Sequence, residues 1–121
     1  MEVKKVVEQE GEYVCNMDIS VNEWKETLLD ASLMTISYKD ALVKFYNEQG
    51  HKSTCKSLGE KYNVSPQTFN ATIRNFAKAV QKNLNRFEVI GTDEEPTYWI
   101  IPMTGKKVGE HFEWTMRPEL I

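Results

Sequence analysis

The stretch that decides the fold is Leu58–Ile73, LGEKYNVSPQTFNATI. A helix that begins near Thr54 ends there at Asn63, a residue type that tolerates the positive φ with which helices often stop. A second helix follows at once. Ser65 can cap it, and Pro66 at the first helical position gives up only an N–H group that has no helical partner. Two helices joined by so short a turn must cross steeply and touch.

A close crossing needs a small residue at the contact, and Gly59 stands where the two helices would meet. Apolar side chains that could hold the crossing are Leu58, Tyr62, Val64 and Phe69. The segment therefore resembles a helix-turn-helix. It departs from that motif at Thr72, a position that is usually apolar, and we expect the adjacent Ile73 to pack in its place.

Two earlier helices are predicted by capping boxes, in which a serine is followed three residues later by an acid. One helix is opened by Ser20 and Glu23, and the other is opened by Ser37 and Asp40 and ends at Gly50. The helix that follows the turn is the longest, with an apolar stripe at Phe69, Ile73, Phe76, Val80 and Leu84. The helical part of the chain thus covers about residues 20–86.

The periodicity changes after residue 86, where β-branched and aromatic residues predict strands. Phe87–Ile90 and Thr97–Ile101 are predicted to form a hairpin, and a loop over Thr104–Gly109 leads to a third strand that carries Phe112, Trp114 and Met116. The β part is predicted at about residues 87–116, and residues 117–121 read as the start of a further helix. The predicted fold is a single α+β domain over residues 1–121, a helical bundle with a helix-turn-helix followed by a small antiparallel sheet, winged-helix-like.

The composition of the 121 residues is that of an ordinary folded chain, with 40% hydrophobic and 27% charged residues and a net charge of -3. The charge is unevenly distributed. Residues 51–86 carry seven basic and one acidic side chain, whereas residues 1–50 carry five basic and ten acidic, and residues 87–121 three basic and seven acidic. The basic block coincides with the helix-turn-helix segment, which favours an anionic partner for that segment.

If the motif binds duplex DNA, the helix after Ser65 would be the recognition helix. Its first two turns would then face base edges with Gln67, Thr68, Asn70 and Ala71. Phosphate contacts would fall to Lys52, Lys56, Lys61, Arg74, Lys78 and Lys82. The last three of these are spaced four residues apart on one helix face, so their positive charges repel one another. A bound polyanion would offset that repulsion. The alternative is a solvated face on a protein-contact or architectural unit.

Four aromatic residues in the predicted sheet, Tyr98, Trp99, Phe112 and Trp114, have two interpretations. They could pack the core of the small sheet, or they could form an exposed cage for a flipped or modified base. The tip of the predicted hairpin, Asp93–Glu95, is acidic and would repel phosphates, so this hairpin is not expected to grip the DNA backbone.

The chain contains no recognisable catalytic motif. His51 and His111 lie outside any metal-ligand spacing, and Gly105–Lys106 lacks the upstream glycine of a phosphate-binding loop. Cys15 and Cys55 have no local nucleophile motif and are expected to be free thiols. We therefore predict no catalytic residues, no metal, no cofactor and no membrane segment, in a cytoplasmic protein.

Residues 51–121 also resemble part of a known protein family. The runs YWIIPMTG at 98–105 and HFEWTMRPEL at 111–120, together with Thr54–Phe76, are similar to an accessory domain of McrB-like restriction proteins, GTP-driven AAA+ systems that cleave DNA carrying modified cytosine. The resemblance implies a non-catalytic N-terminal module that recognises double-stranded DNA, with the motor and the nuclease on other domains or chains. A protein-interaction or scaffolding module of the same assembly is the alternative.

Overall fold

The computed structural model describes all residues, 1–121, and contains four α-helices and seven strands. The helices are α1 (Val21–Leu29), α2 (Ile36–Tyr46), α3 (Cys55–Tyr62) and α4 (Pro66–Leu84). The strands are β1 (Glu2–Lys5), β2 (Val7–Gln9), β3 (Glu12–Val14), β4 (Lys52–Thr54), β5 (Phe87–Ile90), β6 (Met103–Val108) and β7 (His111–Met116). Five strands form an antiparallel sheet in the order β2-β3-β6-β7-β4, and β1 pairs with β5 in a separate parallel ribbon. The α+β class is confirmed. The predicted division into a helical part at about 20–86 and a β part at about 87–116 is wrong, because three strands precede residue 20 and β4 lies between α2 and α3.

The caps of α1 and α2 differ in how well the sequence predicted them. In α1 the capping box is present, with the Glu23 N–H donating to Ser20 Oγ at 3.1 Å. The box predicted at Ser37 is wrong, because α2 begins one turn earlier, where Thr35 Oγ1 accepts the N–H of Tyr38. The predicted end at Gly50 is also wrong. Helix α2 stops at Tyr46, and Gly50 lies in a separate 3-10 turn with φ +71°.

The helix-turn-helix segment forms as the sequence predicts. Asn63 ends α3 in the left-handed conformation with φ +56°, and Pro66 opens α4. Ser65 does not cap α4 through its side chain, because its hydroxyl donates to Gln67 Oε1 at 2.6 Å instead. The α4 stripe is buried from Phe69 to Val80, and Ile73 packs fully in the core while the neighbouring Thr72 does not.

The hairpin predicted over Phe87–Ile90 and Thr97–Ile101 does not form as a pair of strands, and what remains of it is an isolated antiparallel bridge between Ile90 and Pro96 with a hydrogen bond from the Thr97 N–H to the Val89 carbonyl at 3.0 Å. Strand β5 pairs with β1 at the other end of the chain, and Thr97–Ile101 forms no strand. Ile100 and Ile101 are both fully buried and do not alternate between two faces. The residues predicted as the loop Thr104–Gly109 belong mostly to β6, which forms the true hairpin with β7. The alternation predicted for β7 is confirmed, with Trp114 and Met116 buried and Phe112 half-buried.

Helices and strands share one hydrophobic core. Among its fully buried side chains are Trp24 from α1, Phe45 from α2, Phe76 from α4 and Met103 from β6. Residues 117–121, predicted to start a helix, form a single 3-10 turn that buries Leu120. No helix of the chain combines the length and the apolar character needed to cross a lipid bilayer.

Candidate nucleic-acid interface

The interface is built on α4, whose inner face is apolar and whose outer face is polar. Of the four residues predicted to face base edges, Gln67, Thr68 and Asn70 are exposed and Ala71 is half-buried. The Gln67 side chain is oriented by the hydrogen bond from Ser65, which occupies its amide oxygen and leaves its NH2 group available to donate. Asn70 lies at the edge of an aromatic cavity next to the helix.

Three cations on α4 are exposed and have no carboxylate partner, Arg74, Lys78 and Lys82. Lys78 lies between the other two in sequence and places its ammonium 5.0 Å from the centre of the Tyr98 ring. A cation over an aromatic face keeps its charge and remains able to meet an anion. The outer face of α4 is therefore basic over two turns, with no acidic residue on that helix.

The three predicted cations before α4 occupy different environments. Lys56, on α3, is exposed and has no acidic partner within 4.0 Å. Lys61 is paired with Glu48 at 2.8 Å, and the hydrogen bond to that carboxylate raises the pKa of Lys61. Much of its charge is thus already compensated within the fold.

Lys52 does not join the α4 cations. It lies opposite Thr115 in the sheet, next to the Ser53–Trp114 pair whose side chains point toward the core. Since successive side chains of a strand point to opposite faces, Lys52 projects from the outer face, where it lines a cleft with Lys106 and Glu113. The predicted basic patch is therefore split by the sheet.

Arg86, the last basic residue of the 51–86 block, also serves a structural role that the sequence pattern did not reveal. Its guanidinium binds both carboxylate oxygens of Glu23 and donates to the carbonyl of Asp18. The hydrogen bond from Arg86 and that from the Ser20 N–H lower the pKa of Glu23 to about 2. Only the three-dimensional fold brings these residues, 63 positions apart, together.

All four aromatic residues of the predicted sheet belong to the hydrophobic core or pack against it. Trp114 is a core residue, whereas Tyr98, Trp99 and Phe112 are half-buried. Tyr13, on β3, adds a fourth half-buried ring beside Phe112, with ring centres 5.2 Å apart. No sequence pattern indicates Tyr13, because its strand is only three residues long.

The cysteines and His51 occupy defined environments. Both cysteines are free, and burial raises the pKa of Cys55 to about 11 and also raises that of Cys15, so both thiols stay protonated at neutral pH. His51 Nδ1 lies 2.6 Å from the Tyr46 carbonyl oxygen. No three or more His, Cys, Asp or Glu side chains are grouped so that they could hold a metal ion.

Comparisons with protein-family models, with curated proteins and with solved structures find no match to this chain.

Proposed function

We propose that this domain is a non-catalytic DNA-recognition module that binds duplex DNA through α4. The observation that carries the proposal is the outer face of α4, where Arg74, Lys78 and Lys82 stand one turn apart without a carboxylate on the same helix. Like charges at this spacing destabilise a helix by a few tenths of a kcal/mol per pair. A phosphate backbone lying along the face would turn that repulsion into attraction.

The order of elements supports a winged-helix-like description of the domain. A helix (α2), a short strand (β4), the two motif helices and then the β6–β7 hairpin follow one another along the chain, and β4 pairs with the second hairpin strand. The wing in this proposal is the β6–β7 hairpin, which carries Lys106 and Lys107, and not the acidic 93–95 loop. Its two lysines are balanced by Glu110 and Glu113, so the hairpin is formally neutral and repels phosphates less than the three carboxylates of that loop.

We assign base contacts and phosphate contacts on α4 by the position of each residue along the helix. Gln67, Thr68 and Asn70 lie in its first two turns, the part of a recognition helix that enters the major groove, and we assign base contacts to them. Arg74, Lys78 and Lys82 lie further along and are assigned to phosphates, which fix orientation without reading sequence.

The cellular setting of the proposal rests on the resemblance alone. A cytoplasmic restriction-type protein of the McrB-like kind would supply the motor and the nuclease on other domains or chains, and modified cytosine would be a candidate target. The module itself would contribute binding and no chemistry.

A protein-interaction module is the second candidate, and exposed apolar side chains on α1 and α2 favour it. Ile36 is 89% exposed and Leu29 is 75% exposed. They lie near an apolar cleft lined by Leu28, Met34, Leu42, Val43, Met116 and Leu120 among others. Contiguous exposed apolar surface is typical of contact sites.

Binding of a labelled duplex, followed by fluorescence anisotropy at low salt, tests the first candidate. The double variant Arg74→Ala/Lys82→Ala removes two unpaired α4 cations, and Lys25→Ala/Lys39→Ala removes two exposed cations from α1 and α2 with the same change in net charge. The proposal expects the first variant to lose affinity at least tenfold and the second to bind within about twofold of the parent. Equal losses in both variants, or no binding by the parent, would leave the interaction module as the better account.

A further inference from the structure

An aromatic cavity of about 370 Å³ opens between the start of α4, the inner face of the five-stranded sheet and the loop at residues 91–97. Rings of Tyr13, Trp99, Phe112 and Trp114 line it. The DNA proposal gives this cavity no role apart from the position of Asn70 at its edge. Its shape and its charge both indicate the kind of ligand that it would take.

A glycine on β6 lets two of the lining rings, Trp99 and Phe112, pack directly against the sheet. Gly105 lies opposite Tyr13 on one side and opposite Trp114 on the other, so the three residues form one row across β3, β6 and β7. A Cβ at this position would collide with the Phe112 ring and lie 2.8 Å from the Trp99 ring. With no side chain there, the rings of Trp99 and Phe112 pack over the floor.

The lining rings touch one another at steep angles, with ring centres 5.1 Å apart for Trp99 and Phe112 and 5.2 Å apart for Tyr13 and Phe112. Trp99 meets Phe112 edge-on at 72°, and Tyr13 is tilted by 50° from Phe112. A planar base held between two rings needs parallel faces about 7 Å apart, twice the contact distance between carbon atoms. Trp99 and Trp114 are the near-parallel pair here, but their ring centres are 5.9 Å apart and the two rings stack on each other. A base therefore has no room between them. Rings at steep mutual angles suit a rounded group.

The charge of the lining is negative. Asp93 is the one charged side chain that lines the cavity. No Lys, Arg or His lines it. Its carboxylate accepts the N–H of Glu95 at 3.0 Å, and the loop is closed by a hydrogen bond from the Gly91 N–H to the Glu95 carbonyl at 2.8 Å. A carboxylate held in this way disfavours a phosphate-bearing ligand and favours a cation.

We propose that this cavity binds an alkylated ammonium group, which the rings of Tyr13, Trp99 and Phe112 enclose and the carboxylate of Asp93 balances. Aromatic faces attract organic cations through their negative π-surfaces, and a methylated ammonium sheds its water more readily than a bare one. The proposal is independent of DNA binding by α4. The cation could belong to a free quaternary ammonium compound or to a methylated lysine side chain, which share this chemistry.

Choline chloride is the probe, titrated at constant ionic strength and followed by NMR of the aromatic side chains. Its matched control is the neutral isostere in which carbon replaces the quaternary nitrogen. The proposal expects choline to shift the resonances of Tyr13, Trp99 and Phe112 and to bind roughly tenfold more tightly than the isostere. Equal binding of the two compounds would overturn it, as would shifts produced by cytidine and not by choline.

The contribution of the carboxylate is tested by Asp93→Asn, which keeps an oxygen to accept the Glu95 N–H. We expect this change to weaken choline binding roughly fivefold and to leave the neutral isostere unaffected. Glu94→Gln is the control, since Glu94 is paired with Lys5 and does not line the cavity. If both changes weaken choline equally, the assignment of Asp93 is wrong.

Peptides that carry trimethyllysine or unmodified lysine distinguish the two sources of the cation. Tighter binding of the trimethylated peptide than of choline would assign the cavity to a protein ligand, and binding of choline alone would assign it to a small molecule. Both outcomes support the cavity as an alkylammonium site, whereas preference for unmodified lysine would contradict it.

Discussion

A Cβ atom on Gly59 would lie 2.5 Å from the carbonyl oxygen of Val64. The contact arises because the turn after α3 folds back onto the helix, where the N–H of Val64 donates to the Gly59 carbonyl at 2.9 Å. A side chain at Gly59 would also crowd Pro66, the first residue of α4. The angle at which α4 leaves α3, and with it the direction of the basic face, depends on this glycine.

Gly59→Ala should therefore lower the free energy of unfolding by roughly 1–3 kcal/mol, because the backbone of the turn must shift to admit one methyl group. Glu60→Ala is the neighbouring control, since Glu60 is exposed on the same helix and alanine favours helix. Urea denaturation followed by tryptophan fluorescence measures both. A Gly59→Ala midpoint equal to that of the parent would show that the two helices do not touch as described.

The two tryptophans of the stacked pair should respond differently to truncation. Trp114 is buried in the core, so Trp114→Ala should cost roughly 3–5 kcal/mol and could prevent folding. Trp99 is half-buried on the cavity wall, and Trp99→Leu, which keeps apolar volume, should cost clearly less. Thermal melts of the two variants compare them, and a larger loss at Trp99 than at Trp114 would contradict the division between core and cavity.

The Arg86–Glu23 pair predicts an acid-sensitive contribution to stability. Because Arg86 and the Ser20 N–H lower the pKa of Glu23 from 4.5 to about 2, the ionised carboxylate is favoured in the folded state. The stabilisation is present above pH 4.5 and is lost as the pH falls towards 2.

Arg86→Leu should raise the pKa of Glu23 towards its ordinary value and cost roughly 0.5–1 kcal/mol at neutral pH, since the pair is partly exposed. Urea unfolding at neutral and acid pH, with an NMR titration of the Glu23 carboxyl group, measures both effects. Arg74→Leu is the control, because Arg74 has no acidic partner within 4.0 Å. An unchanged Glu23 titration in Arg86→Leu would refute the pairing.

The helices could be predicted from the sequence because their signals are local. Ser20 with Glu23, Asn63 and Pro66 act within one turn of their own positions, and the spacing of the α4 stripe needs no knowledge of the rest of the chain. Strand β1 could not be found in this way, since it pairs with β5 more than eighty residues away. Its burial pattern shows no alternation of buried and exposed residues.

For the candidate site, the sequence predicts which α4 side chains are exposed and not which cations lie together. Helical spacing alone indicates that Gln67 and Arg74 point away from the core. The pairing of Lys61 with Glu48 and the placement of Lys52 on the far face of the sheet depend on α2 and on the β4–β7 register, which no local pattern reveals.

The assignment of base contacts predicts a sequence-dependent effect. Gln67→Ala should cost roughly 1–3 kcal/mol of binding free energy on the preferred duplex and little on other duplexes, because a base-edge hydrogen bond is lost. Competition binding against a panel of modified and unmodified duplexes measures the difference. A uniform loss across the panel would assign Gln67 to the phosphate backbone instead. Gln67 is exposed, so the melting temperature should stay near that of the parent.

The salt dependence of duplex binding tests the central claim most directly, because counterion release counts the phosphates that the protein neutralises. The dissociation constant is measured over a series of salt concentrations for the parent, for Arg74→Ala, for Lys82→Ala and for Gln67→Ala. The account predicts that each cation variant reduces the slope of log K against log salt by about one unit, while Gln67→Ala leaves it unchanged. A parent slope near zero, or a slope that Arg74→Ala and Lys82→Ala do not alter, would contradict DNA binding through α4.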